Sequence, residues 1–250
     1  MSRKWYRTLV RIRTIVFDFD DTLVETGDLF REILGNLCDL LVRRLDGSAP
    51  AREEILRRQE VIDIRLLGRT GIKPERFSAS LVETYQEVLA EGKVPRDEKE
   101  EAYLWDEGLR AFRDIPRLSE DTAKVLAALA AREKLIYTWG LDSIQRPRIL
   151  AHGLERHFAE IHCVEKKSPE ALAKVLGARD PRATMIVGDS LKGEIAPAVA
   201  LGCHAVHLAR TDGWTFLHAE VEGEFHKIDR LGELLSLLDR LEGTVVHARE

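Results

Sequence analysis

Apolar residues change their spacing along this chain. Near the start, Ile15-Val16-Phe17 is an unbroken apolar run, too short for a helix and rich in β-branched side chains, which predicts a buried strand over Thr14 to Phe19. Over residues 25–114 the spacing becomes helical. Leu29, Phe30, Ile33, Leu34, Leu37, Cys38, Leu40 and Leu41 recur three and four apart, and Gly47 and Pro50 then break the pattern. A second helix is expected from Ala51 to Leu67, interrupted by Gly68 and Gly71. A third begins at Pro74 and carries Phe77, Leu81, Tyr85 and Leu89. A fourth carries Leu104, Trp105, Leu109 and Phe112, and the charged run Arg96 to Glu101 ahead of it reads as a solvated face.

From Ile115 onward short apolar runs alternate with helical stretches. Strands are expected at Leu135 to Thr138, Ile161 to Val164, Thr184 to Val187, His204 to Leu208 and Phe225 to Ile228. Helices are expected from a Ser119 cap through Leu129, then at Asp142 to His152, Pro169 to Leu176, Gly193 to Leu201 and Arg230 to Leu241. The alternation predicts an α/β fold: a doubly wound, parallel-sheet, Rossmann-like core of residues 1–24 and 115–250, with an inserted all-helical cap of residues 25–114. Ligands of such sheets bind at the carboxyl ends of the strands, so an insert leaving the first strand there is expected to act as a lid.

Composition agrees with a folded chain. Of 250 residues 44% are apolar and 32% charged, enough for a large core. A net charge of −5 provides no general attraction to nucleic acid, and no basic–aromatic interleaving suggests a single-strand binder. No apolar stretch approaches the roughly 20 residues that span a bilayer. The early basic residues Arg3, Lys4, Arg7, Arg11 and Arg13 read as a solvated lead-in, because the first core strand follows at once. Cys38, Cys163 and Cys203 have neither metal-ligand nor paired spacing and suit a reducing compartment, so a cytoplasmic protein is expected, monomeric or homodimeric. Trp5 and Tyr6 are expected to pack near the terminus and Trp214 in a loop. Arg65, Arg69 and Arg76 in the helical insert could meet an anion, although solvated arginines are the simpler reading.

The chemistry gathers where strands end. The first strand runs directly into Asp18-Phe-Asp20-Asp21-Thr22. Period-two alternation sends Asp18 and Asp20 to one side, and two carboxylates held together call for a shared proton or a hard cation such as Mg²⁺. After the strand at 135–138 come Thr138, whose hydroxyl can donate to a phosphoryl oxygen, and Trp139. After the strand at 161–164 come Lys166 and Lys167, ahead of a Ser168 cap and Pro169. After the strand at 184–187 come Asp189, Ser190 and Glu194.

Asp18-x-Asp20-x-Thr22, then Thr138, then a lysine, then Gly188-Asp189 followed five residues on by an acid, resembles the haloacid dehalogenase superfamily, in order and in strand context. Leu141 to Arg146 and Gly153 to Phe158 extend the similarity to phosphatase-like members with a helical cap after the first strand. The resemblance implies that Asp18 is a nucleophile forming an aspartyl-phosphate and that Asp20 protonates the leaving oxygen and then activates water. It implies Mg²⁺ held by Asp18, the Asp20 carbonyl and Asp189, with Thr138 and a lysine on the transferred group. Lys166 has the better spacing to Pro169 for that lysine, with Lys167 its rival. Trp139, where many members carry Asn, is expected at the pocket floor. Thr22, Ser190 and Glu194 are expected to support the site from behind. Glu194 stands where Asp is usual, which leaves open whether it reaches a metal or the lysine.

Asp20 separates reactions within the family, since the dehalogenases lack a carboxylate there. The expected activity is therefore Mg²⁺-dependent hydrolysis of a small phosphorylated metabolite. The alternatives are a phosphotransferase or mutase that passes the phosphoryl group to a second hydroxyl, and a non-catalytic phosphate-binding protein. A receiver domain is disfavoured, because the acidic cluster lies on the first strand and a long helical insert follows it.

Overall fold

The computed structural model describes residues 11–210 and 220–243, so Trp5, Tyr6 and Trp214 lie outside it. The chain forms two compact units, Met1–Glu25 with Arg117–Glu250 and, separately, Thr26–Pro116.

In the first unit six strands form one parallel sheet: β1 (Thr14–Phe17), β2 (Glu133–Trp139), β3 (Glu160–Val164), β4 (Thr184–Gly188), β5 (His204–Leu208) and β6 (His226–Ile228), in the order β3-β2-β1-β4-β5-β6. β1 is central, paired with β2 (Phe17 opposite Ile136) and with β4 (Phe17 opposite Val187). Its apolar run is buried on both faces, as for an inner parallel strand. Alternate residues serve opposite layers. Ile15, Phe17, Ile136, Met185 and Val187 pack with α5 (Thr122–Ala128), α6 (Asp142–Ala151) and α9 (Glu233–Gly243). Val16, Leu135, Tyr137 and Ile186 pack with α7 (Pro169–Leu176) and α8 (Ala196–Ala200). The doubly wound α/β sheet expected from the alternating pattern is therefore present.

Two helix starts differ from expectation. Ser119 does not cap α5: its hydroxyl is buried without a hydrogen-bond partner among the described residues, and Asp121 occupies the N-cap position. The Asp121 carboxylate instead accepts from the Gly232 amide at 3.1 Å. The stretch expected as a helix from Gly193 opens with a π-helical turn, Leu191–Ile195, before α8. Wider i→i+5 turns of this kind concentrate at functional sites, and this one sets the direction of Glu194.

The second unit is four helices: α1 (Thr26–Leu45), α2 (Arg52–Thr70), α3 (Pro74–Glu91) and α4 (Glu98–Arg113). Its core holds Ile33, Leu37, Leu41, Ile55, Phe77, Leu81, Tyr85, Leu89 and Leu104. Phe30, Phe77 and Phe112 meet edge to face, with ring centroids 4.9–6.3 Å apart. The buried stripe of α4 is Leu104, Gly108 and Ala111, whereas Trp105, one residue round the helix, is 40% exposed. Arg76 is ion-paired to the buried Asp63, and Arg65 to Glu83 at 2.5 Å, so neither is simply solvated.

Gly108 makes the α3–α4 approach possible: a Cβ there would lie 2.4 Å from Ser78 Cα. Gly108→Ala is therefore expected to destabilise this unit by about 1–3 kcal/mol, despite alanine's higher helix propensity. Chemical denaturation checks this, and an unchanged or raised midpoint would contradict it.

Candidate active site

The loop leaving β1 carries the acids out of the core. Asp18 donates its amide to Val187 O at 2.9 Å and stays buried. The chain then turns tightly, with Leu23 and Val24 amides donating back to Phe19 O and Asp21 at φ 52°, a conformation Asp tolerates better than most residues. Thr22 is buried beneath this turn, and its hydroxyl finds no hydrogen-bond partner among the described residues.

Asp18 meets Lys167, whose ammonium donates to Asp18 Oδ1 at 2.6 Å and also to Glu194 Oε1. This corrects the expectation from spacing: Lys166 is exposed, and the next residue is the one that enters the site. The reason lies one strand away. Tyr137 on β2 accepts from the Ser168 amide through its hydroxyl at 3.2 Å, and its ring centroid lies 5.6 Å from the Lys167 ammonium. Ser168 in turn caps α7 by accepting from Ala171 N at 3.2 Å. The turn is pinned with Lys167 inward, so its neighbour faces out.

Glu194 is fully buried, the ordinary exception to carboxylate exposure being a paired group. Its Oε1 accepts from Lys167 and its Oε2 from the Ser190 amide at 3.0 Å. The π turn brings it there, with Ile195 N donating to Ser190 O at 3.2 Å, while Ser190 Oγ accepts from Gly193 N at 2.8 Å. Gly188 leaves the space, since a Cβ there would lie 2.5 Å from Glu194 Cγ. The side chain thus reaches the lysine, and its carboxylate also joins those of Asp18 and Asp189: one oxygen from each of the three lies within 4.8 Å of the others. His207, on β5, donates from Nε2 to the Asp189 carbonyl at 2.9 Å and fixes that turn, a contact that nothing in the histidine spacing signals.

Three carboxylates face one ammonium, and the electrostatics follow. Burial raises the Asp18 carboxyl well above its ordinary range, partly opposed by Lys167. Burial, reinforced by Glu194 and Asp21, pushes Asp189 up to about 7. For Lys167 burial acts downward, but Asp18 and Glu194 outweigh it and hold the ammonium above its usual value. The three carboxylates are hard oxygen donors of the kind that could hold a divalent cation.

Asp20 is turned away from the carboxylate group. Its side chain, 28% exposed, faces α6: Oδ2 accepts from Gln145 Nε2 at 2.5 Å and Oδ1 lies 3.8 Å from Arg148. Thr138 is buried at the end of β2, with its Oγ1 3.0 Å from the same Gln145 amide. Trp139 spends its indole N–H on Glu165 O at 2.9 Å, which ties the end of β2 to the loop after β3.

A buried carboxylate beside an ammonium, with two further acids close by, thus lies at the carboxyl edge of a doubly wound sheet, where such folds bind their ligands. The chain belongs to the haloacid dehalogenase-like hydrolases, whose family model matches residues 12–202. No curated protein matches it. Solved structures with the same fold include the putative hydrolase YfnB from Bacillus subtilis bound to magnesium (20% identity, 92% of this chain and 99% of that one, TM-score 0.60). They also include L-2-haloacid dehalogenase from Xanthobacter autotrophicus (19%, 91% and 98%, 0.58). A third is a predicted phosphoglycolate phosphatase from Haemophilus somnus (18%, 90% and 97%, 0.56). The protein is thus an enzyme of this family, and no helix among the described residues is long and apolar enough to cross a membrane.

Proposed function

We propose that the enzyme is a Mg²⁺-dependent phosphatase acting on a small phosphorylated metabolite. The observation that supports this reading is the Asp20 carboxylate, two residues after Asp18, partly exposed and held by Gln145 and Arg148. A halide departs without a proton, so a dehalogenase has no work for such a group, whereas an alkoxide leaving group needs one. The three-carboxylate cradle argues the same way. A neutral carbon centre needs no charge screening, but a phosphate dianion approaching Asp18 does.

In the first step an Asp18 oxygen attacks phosphorus, the bond to the ester oxygen breaks, and Asp20 gives that oxygen its proton. In the second, water attacks phosphorus, passes a proton to Asp20, and the bond to Asp18 breaks, releasing inorganic phosphate. Lys167 and the Thr138 hydroxyl, whose acceptor side Gln145 occupies, bind the phosphoryl oxygens. Asp18 and Asp189, with Glu194 adjoining and the Asp20 carbonyl as a further donor, would hold Mg²⁺, which when bound neutralises charge on the phosphoryl group. The free thiols of Cys38, Cys163 and Cys203 suit a cytoplasmic enzyme.

Release of phosphate from 4-nitrophenyl phosphate with Mg²⁺, and its loss with chelator, tests the reading. Chloride release from 2-chloropropionate without phosphate release would refute it.

The raised carboxyls also make metal binding pH-dependent. The metal-free folded protein keeps a proton on Asp189 that the unfolded chain has lost between its ordinary value of 3.8 and about 7, so stability declines as pH rises through that window. Mg²⁺ takes the deprotonated carboxylates and competes with that proton. Its effect on Tm is expected to be larger at pH 8 than at pH 6. An equal shift at both, measured by thermal denaturation, would contradict the assignment.

A further inference from the structure

Two buried polar side chains on α6 converge on Asp20, and the steps above use neither as a reacting group. Gln145 is 3% exposed and Arg148 4%. The Gln145 Nε2 lies 2.5 Å from Asp20 Oδ2 and 3.0 Å from both Thr138 Oγ1 and Trp139 O. Those oxygens settle which way the amide faces, because the reverse orientation would set Oε1 against a carboxylate and a carbonyl. Oε1 itself is buried with no hydrogen-bond partner among the described residues. An unsatisfied buried oxygen is destabilising, so packing alone does not explain an amide here. The backbone is shaped around it: Gly140 sits at φ 144°, and a Cβ there would press on Gln145 Cγ at 3.1 Å and on Nε2 at 3.2 Å. Arg148 addresses the other Asp20 oxygen at 3.8 Å, so both ends of the carboxylate are engaged from one helix.

We infer that Gln145 is a positioning residue that locks the Asp20 carboxylate in register with the Thr138 hydroxyl, so that proton donor and phosphoryl-binding group meet one ester together. One N–H reaches the residue that handles the leaving oxygen while the same amide group reaches the one that binds the transferred group. The inference rests on the phosphatase reading above, in which Asp20 is the proton donor. Its signature is selectivity for leaving group. An alkoxide depends on a well-placed proton donor, whereas a nitrophenolate departs without one.

The experiment measures kcat/KM, which reports the leaving-group step and not the later hydrolysis of the shared aspartyl-phosphate, for glycerol 3-phosphate and 4-nitrophenyl phosphate at saturating Mg²⁺ with wild type, Gln145→Leu and Asp20→Asn. The ratio of the two rates in one preparation does not depend on the fraction folded. The expected result is a loss of about 10²-fold or more on the alkyl ester and much less on the aryl ester for both variants. If Asp20→Asn shows that selectivity and Gln145→Leu loses both activities equally, or loses neither, the inference falls and the phosphatase reading stands. If wild type hydrolyses neither ester, or Asp20→Asn is unselective, the mechanism proposed above fails and the inference goes with it.

Discussion

Asp18→Asn is expected to remove turnover almost completely, by a factor on the order of 10⁶, as loss of a covalent nucleophile does elsewhere. The amide can neither attack phosphorus nor leave as a carboxylate. Its structural effect should run the other way. Asp18 is one of three carboxylates crowded against one ammonium, and burial already disfavours its charge. Without metal, the neutral isostere removes repulsion while keeping an oxygen for Lys167. The metal-free variant is therefore expected to melt at or above the wild-type Tm and to bind Mg²⁺ more weakly. Near-normal phosphate release would end the nucleophile assignment, and a large drop in metal-free Tm would contradict the charge argument.

Lys167→Ala should damage both activity and fold, whereas Lys166→Ala should change neither measurably. Lys167 is only 10% exposed and bonds two buried carboxylates. Truncating it leaves Asp18 and Glu194 without their shared partner, a change that costs about 3–5 kcal/mol for buried pairs. It also withdraws a cation from the transferred phosphoryl group, worth a further 10²–10³-fold, roughly, in rate. Mg²⁺ should restore part of the stability and little of the activity, because an ion can neutralise the cradle without taking the ammonium's place beside Asp18. Parallel melting curves and rates for the two variants decide the point. Equal losses in both, or a loss confined to Lys166→Ala, would contradict the placement.

Much of this was legible from residues alone, for physical reasons. A strand buried on both faces must be an unbroken apolar run, so β1 and β4 announce themselves, and an aspartate directly after such a run can sit only at the strand's exit. Asp18, Thr138 and Asp189 are therefore placed by topology. Side chains that arrive through turns are not. Lys166 and Lys167 are chemically identical, and which one enters depends on Tyr137, distant in sequence, fixing the Ser168 amide. Glu194 is brought round by a π turn, where ordinary helical spacing misjudges direction. Gln145 and Arg148 are polar positions on a short helix, indistinguishable in sequence from a solvated face such as that of Arg146, which pairs with Asp142 in the open. Gly140, at φ 144°, leaves the room that Gln145 occupies at the end of β2, but nothing in the residue order alone shows that close approach.

In the proposed mechanism Asp18 carries the phosphoryl group between the two steps. Acid quenching during turnover of 4-nitrophenyl phosphate with Mg²⁺, followed by peptide mass spectrometry, tests it most directly. One phosphoryl group is expected on the peptide spanning residues 14–24, located at Asp18 and absent in Asp18→Asn. Turnover with that peptide unmodified, or with the phosphoryl group on another residue, would contradict it.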